Sequence, residues 1–200
     1  MGDSLTEGLY DSWSYEFSPY TLILGDRLRN KYKDIDIQIF NEGVSGEKVQ
    51  NMPERLQKIL SEQNFDFMIL LGGTNDLGYG IPPKDIAKNL LDLLQQAWKQ
   101  NMVTLQLTVP QCKGAIQNKQ RDQLNDQIRK ELVKQNSKAF LLDFHEKFDL
   151  NNMTENDKVD LWARDGLHFS QKGYEKMGEY IFDAIEKNEI IQKIIDNRKN

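Results

Sequence analysis

The sequence predicts an α/β domain in which a parallel sheet is covered by helices on both faces. Apolar runs of strand length alternate with longer stretches whose apolar residues recur near the helical period. Short motifs rich in Gly, Ser and Asn fall where those apolar runs end. Ligands of open parallel sheets collect at the same place, the carboxyl ends of the strands.

Along the chain, Tyr20 to Tyr32 carries Leu22, Ile23 and Leu28 ahead of a basic end and reads as a helix. Ile35 to Phe40 alternates Ile35, Ile37 and Ile39 with Asp36 and Gln38, as a strand with one less buried face would. Phe65 to Leu71 becomes continuously apolar, which suits a central strand covered on both sides. Met102 to Val109 and Ala139 to Asp143 are the remaining strand candidates. Pro83 opens a helix through Ile86, Leu90, Leu93, Leu94 and Trp98. Arg121 to Gln135 repeats the pattern with Leu124, Ile128 and Leu132. Ser170 is placed to cap a last long helix bearing Tyr174, Met177, Ile181 and Ile185. With no repeat, linker or low-complexity stretch, residues 1–200 are expected to form a single domain.

Composition narrows the function classes. The net charge is −5 and the basic residues are mixed among acidic ones, which argues against a nucleic-acid partner. The single cysteine, Cys112, cannot form an internal disulfide, and two histidines do not make a zinc ligand set, so no metal or other cofactor is expected. No apolar run is long enough for a transmembrane segment. The default location is cytoplasmic, with secretion if a signal segment lies upstream; Asn152-Met153-Thr154 fits a glycosylation sequon only in that case.

Three separated stretches carry chemistry: Gly2-Asp3-Ser4-Leu5, Gly72-Gly73-Thr74-Asn75-Asp76 and Asp165-Gly166-Leu167-His168. A serine hydroxyl becomes a nucleophile when a base takes its proton, and histidine suits that work at neutral pH. Asp165 lies three residues before His168, within one tight turn, where its carboxylate can reach the imidazole Nδ1. Taken singly, each stretch reads as a cap, a turn or a buried histidine; their order and spacing together make the case. Gly2 to Thr6 is not a Gly-x-Ser-x-Gly nucleophile elbow, so an α/β-hydrolase is disfavoured. His145 has no comparable context, and Asp3 and Asp76 read as braces of their loops.

These blocks, with Asn41-Glu42-Gly43-Val44-Ser45-Gly46, resemble those of the SGNH (GDSL-type) esterase and lipase family. The resemblance implies a three-layer α/β/α sandwich with a parallel, flavodoxin-like central sheet. It implies a catalytic triad of Ser4, Asp165 and His168. It also implies an oxyanion hole formed by the Ser4 amide, the Gly46 amide and the Asn75 side chain, with Gly43 as the competing glycine.

The family lays down a hydrophobic strand before its serine, whereas this sequence opens at Met1-Gly2-Asp3-Ser4. The expectation is therefore an N-terminally truncated domain with its first strand missing from the sheet and Ser4 on a fraying terminus. The expected activity is serine-dependent hydrolysis of carboxylic esters of short to medium acyl chains, acetylated carbohydrates included. Lysophospholipase or thioesterase action on lipid acyl groups, or an inactive relative acting as a binding module, are the alternatives. The aromatic-rich stretch Leu9 to Tyr20, the segment Gly78 to Pro83 and Trp162 are candidate walls for a small-molecule, glycan or lipid ester.

Overall fold

The computed structural model describes residues 1–133 and 138–198. In chain order, helix α1 (Ser4–Glu7) leads into a small hairpin, β1 (Leu9–Asp11) with β2 (Glu16–Phe17), and then α2 (Thr21–Lys31). After an extended stretch come α3 (Met52–Glu62), β3 (Phe67–Leu70), α4 (Thr74–Gly78), α5 (Pro83–Lys99) and β4 (Val103–Leu107). The chain continues through α6 (Ala115–Val133), β5 (Ala139–Leu142), α7 (Phe144–Lys147) and α8 (Glu155–Leu161), and closes with α9 (Gln171–Glu186) and α10 (Glu189–Arg198).

β3, β4 and β5 pair in parallel in that order, with Phe67 opposite Val103 and Thr104 opposite Ala139. Strand alternation divides the interior into two cores. Phe67, Ile69, Val103, Leu105 and Leu107 face α2, α9 and α10, where Leu24, Met177, Ile181 and Ile191 pack. Met68 and Leu70 face α3, α5 and α6, meeting Leu56, Ile86, Leu90, Leu94 and Leu124. The sheet is thus the middle layer of an α/β/α sandwich. On β4 the second face carries Thr104 and Gln106, both buried, and burial there requires hydrogen bonds. Thr104 Oγ1 accepts from Trp98 Nε1 at 2.9 Å, and Gln106 Nε2 donates to the carbonyls of Leu70 and Leu107 at 3.2 and 2.8 Å.

The helices obey their local signals. Pro83 sits in the first turn of α5, where its missing N–H costs nothing, and Ile86, Leu90, Leu93, Leu94 and Ala97 form its buried stripe. Removing one such side chain, as in Leu90→Ala, is expected to cost about 2–5 kcal/mol in an unfolding titration. Ser170 caps α9, its hydroxyl accepting from the Gly173 amide at 3.1 Å. The helix expected from Arg121 begins earlier, at Ala115, and its expected end at Gln135 lies outside the described residues.

Two expectations need correction. Ile35 to Phe40 is no strand, although its half-buried and exposed residues alternate as foreseen. Alternation records one-sided burial; a strand also needs a bonded neighbour, and among the described residues none pairs with this stretch. The start of the chain, in turn, is hydrogen-bonded on both sides rather than hanging free. Met1 and Gly2 are wedged into the sheet between residues 42–44 and β3. Gly2 forms parallel bridges to both Gly43 and Leu71. The Gly2 amide donates to the Glu42 carbonyl at 3.1 Å, and the Val44 amide donates to the Gly2 carbonyl at 3.0 Å. On the other side, the Met1 amine donates to Ile69 O at 3.0 Å and the Leu71 amide donates to Met1 O at 3.2 Å. Two residues of strand therefore hold Ser4 at the edge of the sheet where α1 begins.

Candidate active site

The site assembles at the carboxyl ends of these strands. Asp3 caps α1: its Oδ1 accepts from the Leu5 amide at 3.0 Å, and its backbone carbonyl accepts from the Thr6 and Glu7 amides. The cap fixes Ser4 in the first turn of a short helix, with its hydroxyl aimed at His168. Ser4 Oγ lies 2.8 Å from His168 Nε2.

His168 stands in a tight turn before α9. A bridge between Trp162 and Phe169 closes that turn, and the Ala163 amide donates to His168 O at 2.9 Å. Gly166 makes the reversal with φ of 68°, and a Cβ there would come within 2.8 Å of the Lys113 Cβ. Asp165 Oδ1 accepts from the amides of Leu167 and His168, both at 2.9 Å, which aims its Oδ2 at His168 Nδ1, 2.7 Å away. A carboxylate can only accept, so Nδ1 carries the proton and Nε2 is left to accept from the Ser4 hydroxyl. Partial burial works to raise the Asp165 pKa, but the bonds from the His168 ring and the His168 and Leu167 amides outweigh it and hold the carboxyl low. The structure thus brings Ser4, His168 and Asp165 into one hydrogen-bonded line.

The other expected residues flank that line. Gly46 has φ of 78° and lies exposed, with open space where a Cβ would be. The Gly43 amide is engaged, donating to Asn41 Oδ1 at 2.9 Å. Among the described residues the amides of Ser4 and Gly46 donate no hydrogen bond. Asn75 follows β3 on α4, and its Nδ2 donates to the Glu47 carbonyl at 3.0 Å, which leaves one amide hydrogen uncommitted. Asp76 braces the same loop, with both carboxylate oxygens accepting from the Val49 amide at 3.2 and 3.0 Å.

Several supports have no local sequence signature. Glu7 accepts from the Ser45 amide at 2.8 Å and from the Ser45 hydroxyl, tying α1 to the Gly46 loop. Arg55 donates to the carbonyls of Glu42 and Gly2 at 3.0 and 3.3 Å and pairs with Glu47. Asn125 on α6 brackets Val109, accepting from its amide and donating to its carbonyl, both at 2.8 Å. Trp162 is not a wall of the site: it is 3% exposed and packs between Phe148 and Phe169. His145 stands apart, its Nε2 2.7 Å from Asp122 and its Nδ1 3.3 Å from Val109 O. The segment after α1 divides: Tyr20 is buried, whereas Trp13 and Tyr15 on the hairpin are 94% and 72% exposed. Among the described residues no His, Cys, Asp and Glu groups cluster as metal ligands, and no helix is long and apolar enough to cross a membrane.

Asp3 adds a pH dependence of stability. Burial, aided by the nearby Asp76 charge, raises its carboxyl from an ordinary 3.8 to about 7, against the opposing Leu5 amide and Arg121. Between those values the folded chain keeps a proton that the unfolded chain has released. Stability from this group therefore falls as pH rises through that window and is flat outside it. Asp3→Asn keeps an oxygen for the cap and removes the titration. Urea unfolding across pH 4 to 7 is expected to show a shallower fall for the variant; an unchanged slope would contradict the assignment.

The comparisons follow the geometry. The GDSL-like Lipase/Acylhydrolase family matches residues 1–176. An arylesterase of Vibrio mimicus is 30% identical over 117 residues, 55% of this chain and 54% of that protein, so the chain spans about half the length of this curated relative. The lipase/acylhydrolase from Enterococcus faecalis superposes with a TM-score of 0.74 at 20% identity, over 92% of both chains. A Clostridium thermocellum family 3 carbohydrate esterase gives 0.73 at 20% identity, over 98% of this chain and 96% of its own. The two structures share the sandwich fold with this protein. With most of its length matched, including all the blocks described above, the chain belongs to the GDSL-like lipase/acylhydrolase family.

Proposed function

We propose that this protein hydrolyses carboxylic esters through an acyl-enzyme on Ser4. The observation that carries the reading is the unbroken relay of Asp165 Oδ2, His168 Nδ1, His168 Nε2 and Ser4 Oγ, with links of 2.7 and 2.8 Å. Ser4 Oγ attacks the ester carbonyl carbon as His168 Nε2 takes the hydroxyl proton. The tetrahedral intermediate collapses, His168 returns that proton to the departing alcohol, and the acyl group stays on Ser4. Water then repeats the sequence: its proton goes to His168, its oxygen to the acyl carbon, and Ser4 leaves protonated. Asp165 stabilises the imidazolium in both halves without taking the proton itself.

The negative oxygen of each intermediate needs donors aimed at it. The Ser4 and Gly46 amides and the spare Asn75 hydrogen supply them in this reading. Gly46 is preferred to Gly43 because the Gly43 amide is already engaged by Asn41. Asn75→Ala is expected to lower kcat by roughly 10²–10³ with little change in KM, since the bond is made in the transition state. A loss confined to KM would make Asn75 a substrate-binding residue instead.

Short acyl esters are the proposed substrates, including aryl acetates and acetylated sugars. The arylesterase relative and the carbohydrate esterase neighbour support that choice. Initial rates on p-nitrophenyl esters from acetate to laurate, an acetylated xylooligosaccharide, a lysophospholipid and an acyl thioester test it. The acetates are expected to give the highest kcat/KM. A maximum at long acyl chains or on the thioester would overturn the substrate class, and turnover of none would leave a binding module.

A further inference from the structure

The Asn75 side of the site carries a cation with no acid to answer it. Lys48 and Val49 follow Gly46 and Glu47 in a run that lies along α4. The Glu47 carbonyl accepts from Asn75, and the Val49 amide donates to Asp76. Lys48 is extended, with φ of −90° and ψ of 147°. Successive side chains of an extended chain point to opposite sides, so with Val49 fully buried Lys48 turns outward. Its Nζ lies 4.6 Å from the centroid of the Tyr79 ring, a cation–π contact. The Tyr79 amide donates to the Asn75 carbonyl at 3.0 Å, which puts Tyr79 one helical turn beyond Asn75 and on the same face. One turn is a rise of about 5–6 Å. The amine therefore stands at the rim of the hole assigned above to Gly46 and Asn75.

The acids around it are committed elsewhere. Glu42 and Glu47 both pair with Arg55, and Asp76 is buried against the Val49 amide. Among the described residues no carboxylate forms an ion pair with Lys48. The Tyr79 ring attracts the charge but leaves the N–H donors of the amine for another acceptor. The space in front is open: a Cβ at Gly46, Gly78 or Gly80 would meet no atom within 4 Å, and Tyr79 is 73% exposed. The opposite rim differs, since Arg164 beside the triad has Asp11 of the hairpin as an acidic neighbour. In a chain of net charge −5, an unpaired amine beside the reacting carbonyl favours an anionic group at that place.

We propose that Lys48, held against Tyr79, selects esters whose alcohol portion carries a carboxylate. The inference rests on the ester hydrolysis proposed above and names the alcohol it takes. With acetate as the short acyl part, only the alcohol portion is long enough to reach the rim. Lysine presents a compact charge on a flexible stem, and Tyr79 positions it by keeping the amine over the ring.

The test compares phenyl acetate with 3-acetoxybenzoate, each kcat/KM divided by the rate of that ester with hydroxide. The ratio of the carboxylated to the neutral ester is expected to be about 10 for the parent and about 1 for Lys48→Met, with Lys48→Arg close to the parent. Tyr79→Leu should lower the ratio severalfold and Tyr79→Phe should keep it, because the ring face and not the hydroxyl holds the amine. Raising salt from about 0.01 to about 1 M shortens the screening length from about 30 to about 3 Å and should erase most of the parent's preference. A parent ratio of one or less, a ratio indifferent to salt, or one that survives Lys48→Met would overturn the assignment. Loss in Arg164→Met instead would move the carboxylate to the other rim and overturn it as well. If neither ester is hydrolysed, the proposed function fails, and recognition is read by calorimetry on the same proteins. The parent should then bind 3-acetoxybenzoate about tenfold more tightly than phenyl acetate, an advantage absent from Lys48→Met. Equal affinities would end the proposal.

Discussion

Ser4→Ala is expected to reduce kcat on order of 10⁶-fold, to the level left by binding and oxyanion stabilisation alone. Among the described residues the Ser4 hydroxyl bonds to His168 alone, and the α1 cap comes from Asp3, so the fold described does not rest on that hydroxyl. The variant should therefore unfold at the parent temperature and bind product with unchanged affinity, while turnover falls to that residual level. A residual rate within about a hundredfold of the parent would mean that another residue, or an activated water, attacks the ester.

Asp165→Asn carries the second largest effect, through a different physical cause. The amide oxygen can still accept from the Leu167 and His168 backbones, which keeps the turn. The amide nitrogen would then face His168 Nδ1 and donate to it, pushing the ring proton to Nε2. That tautomer cannot accept from Ser4, and a loss of about 10⁴-fold in kcat is expected while the fold persists. The parent carboxyl also contributes stability. Because its pKa is held below the ordinary value, that contribution is present above the unfolded value and is lost as pH falls through the folded one. The acid side of the stability profile should be flatter in Asp165→Asn. A variant with nearly parental kcat would show that His168 does not need Asp165 to set its tautomer.

The legible and illegible parts of the site separate by distance along the chain. Asp165 and His168 sit three residues apart in a glycine turn, so their contact could be read from spacing. Ser4 and His168 are 164 residues apart, and only the order of motifs against strand ends brought them together in the sequence. Arg55, Glu7 and Asn125 escaped notice because each acts on a backbone group far along the chain, and an Arg on an amphipathic helix looks like surface. Trp162 was misplaced because aromatic residues beside a catalytic turn look alike whether they pack inward or outward. The helices were legible from apolar spacing and caps, as at Ser170. Ile35 to Phe40 was not, since its alternation describes burial while strand identity depends on the neighbour it lacks. The seating of the opening residues was illegible for the related reason that Gly2 draws its bridges from two distant segments, at Gly43 and Leu71.

The central claim is that Ser4 Oγ forms the covalent bond to substrate. It is tested most directly by treating the protein with a serine-directed alkyl phosphonate and locating the adduct by peptide mass spectrometry. A single stoichiometric adduct on the peptide containing Ser4, forming in step with loss of esterase activity and absent from Ser4→Ala, is the expected result. Complete inactivation with the phosphonate on any other residue would contradict the account.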